Sequence, residues 1–262
     1  MAKINLDKYY TSKELAKHCI DVVNKLGLEI TETIEPSAGN GSFSLQIPNC
    51  IAYDLEPEHE SIIKQDFLKL ELPYKKGRMF IGNPPFGRGN SLSMAFYKKS
   101  VKLGDFIGFI LPISQLNNNI QLFDFDLIHS EQLPLIEYSG IKLNCCFNVY
   151  KRPVNGLNKK PQYKLNDVKI IEYRRDGREI NIPDGYDFSM GTFGAGCVGR
   201  QNEYVGQFAL ECYFYINKRK NDVMVVLQNT DWKSLSKGIS GTCRLPQWKI
   251  FKTLKEQIPD LN

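Results

Sequence analysis

The chain has 262 residues, 42% of them apolar and 24% charged, and a net charge of +5. That length suits one large domain or one domain with an extension, and no apolar run nears the roughly 20 residues of a membrane span. Seven cysteines with no Cys-x-x-Cys pair argue against a disulfide framework or a zinc site; with no signal-peptide core at the start, they suit a reducing cytoplasmic setting.

Residues 7–27 predict a helix. Thr11 or Ser12 stands ready as N-cap, Leu15, Cys19, Val22 and Val23 form an apolar face, and Gly27 ends it. His18 reads as a partly buried helix residue, not as a ligand. Residues 30–35 are β-branched and predict a strand. Pro36-Ser37-Ala38-Gly39-Asn40-Gly41 then makes a glycine turn that should lead into a helix, the opening unit of a nucleotide-binding sheet. Gly39 and Gly41 let the backbone approach a ligand closely. Residues 51–54 predict a second strand ending in Asp54, which lies 19 residues after Glu35, close to the spacing at which a carboxylate grips a ribose. Asp66 can accept from an adenine amine while Phe67 packs on the ring. A dinucleotide fits poorly, because Ser44 stands where a third glycine belongs and Glu35 and Asp54 make the site acidic. Acid suits a ligand without phosphate that carries a sulfonium and an amine.

Residues 80–82 end a buried strand, and Asn83-Pro84-Pro85-Phe86 follows at once. Two prolines fix φ and remove two donors, so the chain must leave the sheet in a rigid corner. The Asn83 oxygen and the Pro84 carbonyl can both accept from one exocyclic amine, and Phe86 can stack on a base. Accepting both amine hydrogens draws the nitrogen lone pair out of conjugation and makes it a better nucleophile. Residues 87–91 read as a polar loop able to close over a target, and 92–103 as a helix. Residues 106–111, 133–138 and 145–150 read as strands, whose aromatics are mostly core.

After Pro153 the character changes. Residues 1–153 carry 17 Lys/Arg against 17 Asp/Glu, while 154–262 carry 17 against 12. Residues 170–182 predict a hairpin with an Asp-Gly turn, bearing Arg174, Arg175 and Arg178 at its tip. A glycine-rich stretch from 188 to 199 ends at Arg200, and Lys218-Arg219-Lys220 follows an aromatic run. Residues 223–227 read as a strand and 248–258 as a final helix. Basic tips among tyrosines suit phosphate contacts and base stacking, although aromatics in a β-rich segment are more often core.

The order Lys8-Tyr9-Tyr10-Thr11, Glu35-Pro36-Ser37-Ala38-Gly39-Asn40-Gly41, Asp54, Asp66-Phe67 and Asn83-Pro84-Pro85-Phe86 resembles the γ-type S-adenosylmethionine-dependent adenine-N6 DNA methyltransferases. The resemblance covers about residues 7–153. It implies a Rossmann-like class I methyltransferase sheet flanked by helices, with a small β-rich C-terminal extension. Residues 1–153 would be the catalytic domain and 154–262 a basic target-recognition region, shorter than in typical members. Tyr10, Thr11, Glu35, Pro36, Ser37, Ala38, Gly39, Gly41, Asp54, Leu55, Asp66, Phe67 and Asn83 would hold S-adenosyl-L-methionine. Asn83, Pro84, Pro85 and Phe86 would form the catalytic corner, and Phe147 the second aromatic against a flipped base. Arg88, Arg174, Arg175, Arg178, Arg200, Lys218, Arg219 and Lys220 would meet the nucleic-acid backbone. The implied partner is DNA, with no metal and no membrane. RNA adenine or a protein glutamine amide stays open as the acceptor, as does a restriction endonuclease or other partner subunit.

Overall fold

The computed structural model describes residues 10–138, 141–161, 163–174, 182–194, 197–201, 210–236 and 243–262. The chain divides into two compact units, Met1–Pro161 and Gln162–Asn262, a few residues later than the expected boundary.

The first unit opens with α1 (Lys13–Lys25), where Ser12 Oγ accepts from the Leu15 amide at 3.1 Å and Ala16, Cys19 and Val23 are buried. Its sheet strands are β1 (Glu32–Glu35), β2 (Ile51–Asp54), β3 (Ile63–Lys64), β4 (Arg78–Gly82), β5 (Phe106–Pro112) and β6 (Asp126–Gln132). Helix α2 (Ser91–Leu103) lies between β4 and β5. The short strands β7 (Ile136–Tyr138) and β8 (Ile141–Leu143) pair only with each other, and β9 (Cys145–Lys151) rejoins the main sheet.

The seven strands run in the order β3-β2-β1-β4-β5-β9-β6. β1 pairs in parallel with β2 and β4, β4 with β5, and β9 lies antiparallel to both β5 and β6. This is the expected Rossmann-like α/β sheet, flanked by helices. β5 is buried along its whole length, and burying a side chain such as Phe109 contributes roughly 2–3 kcal/mol. A Cβ at Gly108 would lie 2.7 Å from Met79 Cε and 3.2 Å from Phe147 Cζ, so only glycine permits that packing.

Three expectations change here. The glycine turn leads into a single 3-10 turn, Ser44–Gln46, and not an α-helix. Residues 133–135 lie outside any strand, while the polar edge strand β6 stands just before them, held by β9. Residues 87–91 are an ordered turn: Gly87, Gly89 and Asn90 have positive φ, and Asn90 Nδ2 donates to Ser114 Oγ at 3.3 Å.

The second unit holds the sheet β10 (Val168–Arg174), β11 (Phe188–Gly191) and β12 (Leu210–Ile216), with β12 central and antiparallel to both neighbours. Three helices follow, α3 (Lys220–Asn229), α4 (Trp232–Leu235) and α5 (Gln247–Gln257). Phe188, Phe214, Leu227, Trp232 and Leu254 fill one core. Residues 223–227 are therefore helix, not strand. Val223, Val226 and Leu227 are buried at helical spacing while Val225 is 55% exposed, a pattern with a period near 3.6. The glycine-rich stretch begins as β11. The Asp-Gly turn of the expected hairpin, with Arg175 and Arg178, lies outside the described residues. Among the described residues no helix is long and apolar enough to cross a membrane.

Candidate active site

From β1 the chain runs outward to β2 and β3, then returns past β1 to β4. Strand order thus reverses between β1 and β4, where open α/β sheets receive ligands at their carboxyl ends. A cleft of about 320 Å³ lies there, a size typical of small-molecule sites. It is lined by Tyr10, Thr11, Glu35, Pro36, Ser37, Ala38, Gly39, Asp54, Leu55, Asp66, Phe67, Asn83 and Pro85. Asn40, Ser42, Phe43, Gln65, Leu68, Leu92 and Phe96 complete the wall. Sequence reading missed these last seven, although most are immediate neighbours of residues it singled out.

Each acid is held by the backbone. Asp54, at the end of β2, accepts from the Gly39 amide at 2.7 Å through Oδ2 and from the Glu56 amide at 2.8 Å through Oδ1. Both amides lie in turns, so the β1 and β2 connections are tied together at this carboxylate. Asp66 Oδ1 accepts from the Leu68 amide at 3.0 Å. Glu35 Oε2 accepts from the Ser44 amide at 2.7 Å. Burial pushes the Glu35 carboxyl up to about 7, against the hydrogen bonds from Ser44 and Phe43 and with a smaller push from Asp54. Among the described residues, those that line the cleft include no Lys, Arg or His. An anionic wall with no cation favours a positively charged ligand and disfavours a pyrophosphate.

Gly39 has φ +53 and the ring of Tyr10 lies over it, 3.6 Å from where a Cβ would stand. The Tyr10 hydroxyl donates to Glu58 Oε1, and the Glu58 amide returns a bond to the Gly39 carbonyl at 3.0 Å. Gly82 closes β4 with φ +150, and a Cβ there would lie 3.3 Å from Glu35 Cγ. This close approach brings the Asn83-Pro84-Pro85-Phe86 corner beside the glycine turn that follows β1. The Asn83 carbonyl accepts from Ser37 Oγ at 3.3 Å, and Asn83 Nδ2 donates to Thr11 Oγ1 at 3.2 Å. The Phe86 carbonyl accepts from the Leu92 amide at 3.1 Å, joining the corner to α2.

Some expected residues lie elsewhere. Gly41, Pro84 and Phe86 do not line the cleft, and Phe86 is only 6% exposed. Phe147 is fully buried in β9 with its ring packed over Gly108, so it is not placed to meet a base. Phe67 lines the cleft, but its ring is already stacked on Phe96 at 5.4 Å and tilted against Phe80 at 5.5 Å. Arg88, Arg174 and Arg200 are exposed. Lys218, Arg219 and Lys220 each meet a carboxylate: Asp167, Asp222 with Asp260, and Asp187 respectively.

No protein-family profile and no curated protein sequence matches the chain. Among solved structures, Thermoplasma acidophilum 1320 is 18% identical, with 58% of this chain and 93% of that one covered and a TM-score of 0.44. PH1948 from Pyrococcus horikoshii is 14% identical over 59% and 91%, with a TM-score of 0.46. The M. jannaschii tRNA m1G37 methyltransferase is 18% identical over 55% and 49%, with a TM-score of 0.38. At these values the likeness carries no chemistry, and the site speaks through its own residues.

Proposed function

We propose that the chain is an S-adenosylmethionine-dependent methyltransferase that acts on the exocyclic N6 amine of adenine in DNA. One observation carries this reading: Asn83, opening Asn-Pro-Pro-Phe at the end of β4, lines the same cleft as Glu35, Asp54 and Asp66, with no cation lining it among the described residues. Glu35 and the turn around Gly39 would face the cationic part of the cofactor, Asp54 its ribose and Asp66 its adenine. Bound there, S-adenosylmethionine supplies an electrophilic methyl group on a positively charged sulfur.

The chain's own part is positioning and electrostatics. Asn83 Oδ1 accepts from the target amine, holds its nitrogen towards the methyl donor and stabilises the positive charge that develops; the Pro84 carbonyl, on a buried residue outside the cleft lining, would have to be uncovered to accept the second hydrogen. The amine then loses a proton to water. The base must first leave the stack, at a cost of a few kcal/mol. Phe86, nearly buried, would have to be uncovered to stack on it. Arg88 and the exposed cations of the second unit would supply sequence-independent phosphate contacts.

The test is transfer of labelled methyl from S-adenosylmethionine to duplex DNA, single-stranded DNA and total RNA in parallel, with the product base identified by mass. Label in N6-methyladenine of DNA is the expected result. Asn83→Ala should lower the rate by at least about a hundredfold and leave cofactor affinity within about threefold. Label confined to RNA keeps the chemistry and overturns the substrate, and label only in a protein glutamine overturns nucleic acid altogether. Equal loss of transfer and cofactor binding in Asn83→Ala removes Asn83 from its role.

A further inference from the structure

An amide side chain is ambiguous at a catalytic corner. Its oxygen accepts and its nitrogen donates, and a half-turn about the last bond exchanges them. Only one orientation can accept from a target amine, so something must choose it. Asn83 Nδ2 donates to Thr11 Oγ1 at 3.2 Å, across 72 residues of sequence. Thr11 is 7% exposed, so this bond is largely shielded from water.

Thr11 is itself fixed. Its carbonyl lies 2.6 Å from Ser42 Oγ in the glycine turn, and Ser12, the next residue, caps α1. One turn later, Gln46 Nε2 donates to the Lys13 carbonyl at 3.0 Å and to the Ser42 carbonyl at 2.7 Å. The start of α1 is therefore pinned to the turn that follows β1, and the hydroxyl it presents to Asn83 has a set place.

We infer that Thr11 is a positioning residue: its hydroxyl accepts from Asn83 Nδ2 with its own hydrogen turned away, which keeps the carboxamide nitrogen towards α1, and it links that orientation to the glycine turn after β1 through Ser42. This rests on the methyl-transfer reading of the same cleft. Thr11 touches no reacting atom in this role.

The test compares Thr11→Val, which keeps the shape and removes the oxygen, with Thr11→Ser, which keeps the oxygen. Two readouts are taken. The first is the Asn83 carboxamide proton–nitrogen resonance, assigned by its loss in Asn83→Asp. In the wild type it should exchange slowly with solvent. In Thr11→Val it should shift and exchange at least about tenfold faster, and Thr11→Ser should restore it. The second is kcat, expected to fall about ten- to a hundredfold in Thr11→Val, with Thr11→Ser recovering to within about fivefold of wild type. A resonance that does not move in Thr11→Val overturns the assignment while leaving the proposed activity standing. So does a Thr11→Ser variant as slow as Thr11→Val. No transfer by the wild-type chain to any acceptor overturns the activity instead, and the resonance still reports whether Thr11 holds the amide.

Discussion

Two glutamates three residues apart on β1 separate the two ends of the main sheet. At the amino end, Glu32 accepts from Lys75 Nζ at 2.7 Å and from Arg78 Nε. Burial pushes its carboxyl up, but the bonds from Lys75 and Arg78 outweigh it and hold the group below the usual range. At the carboxyl end, Glu35 meets backbone amides, and burial pushes it up to about 7. Other acids repeat the contrast. Asp105, at the amino end, accepts from Tyr74 Oη at 2.8 Å, the Gly77 amide at 2.8 Å and Arg152 Nε at 2.9 Å. Asp54, at the other end, takes two amides, and among the described residues it has no ion pair. One end spends its charges on joining strands. At the other, Asp66 meets the exposed Lys69 at 3.6 Å, while Glu35 and Asp54 have no ion pair among the described residues, which costs stability and leaves a demand that a cationic ligand can meet.

The sharpest way to break this contrast is Arg78→Met. Arg78 is 5% exposed, and its Nη1 also donates to the carbonyls of Pro73 at 2.6 Å and Leu103 at 3.0 Å. Removing it leaves Glu32 with Lys75 alone and two carbonyls without their donor, so urea unfolding should show a loss of about 2–4 kcal/mol. Methyl transfer per folded molecule should stay near wild type. A loss below about 1 kcal/mol would mean the amino end is not held by its ion pairs.

Glu35→Gln should act in the opposite direction. The folded carboxyl titrates near 7 against an ordinary value of 4.5, so the protonated form favours the fold. That contribution is complete below about 4.5 and lost as pH rises through 7; a neutral glutamine keeps it. At pH 8 the variant should be more stable than wild type by roughly 3 kcal/mol, and at pH 4 nearly equal to it. Cofactor binding by the wild type should tighten as pH rises through 7, because the carboxylate is the form that attracts a cation. The variant should bind more weakly and lose that pH dependence. A destabilised variant at pH 8 would contradict the strained carboxyl.

The smallest effect belongs to the second unit. Replacing Lys218, Arg219 and Lys220 together by glutamine should change stability by less than about 1 kcal/mol, since the three cations are themselves exposed. Each already meets a carboxylate, so the salt slope of DNA binding should fall by less than about one. Replacing Arg88 and Arg174 together should lower it by nearly two. The reverse ranking would move the phosphate contacts onto the paired cluster.

How much was legible followed the range of the forces involved. β1, with its β-branched Thr33 and Ile34, and the apolar runs of β2, β4, β5 and β9 lead into turn residues, so neighbours in sequence suffice to find them. The cleft was legible because the cofactor turn, Asp54, Asp66 and Asn83 all sit just beyond strand ends. β6 was not, because an edge strand with Asp126, His129, Ser130 and Glu131 has no apolar pattern and exists through its pairing with β9. α3 misled because a run of valines favours strand locally, and only packing on the second core overrides that preference. Phe147 misled because sequence shows which strand an aromatic occupies but not which neighbours cover it.

The two amide bonds to Asp54 have a further consequence. Both of its oxygens are already spoken for by Gly39 and Glu56 in the folded chain. The rotational freedom of that side chain is therefore given up when the protein folds, not when a ligand enters the cleft. Ordering entropy that would otherwise weaken association sits in the folding equilibrium instead. Loosening either amide should then appear first as a less favourable binding entropy, with the enthalpy of contact and the melting temperature moving much less.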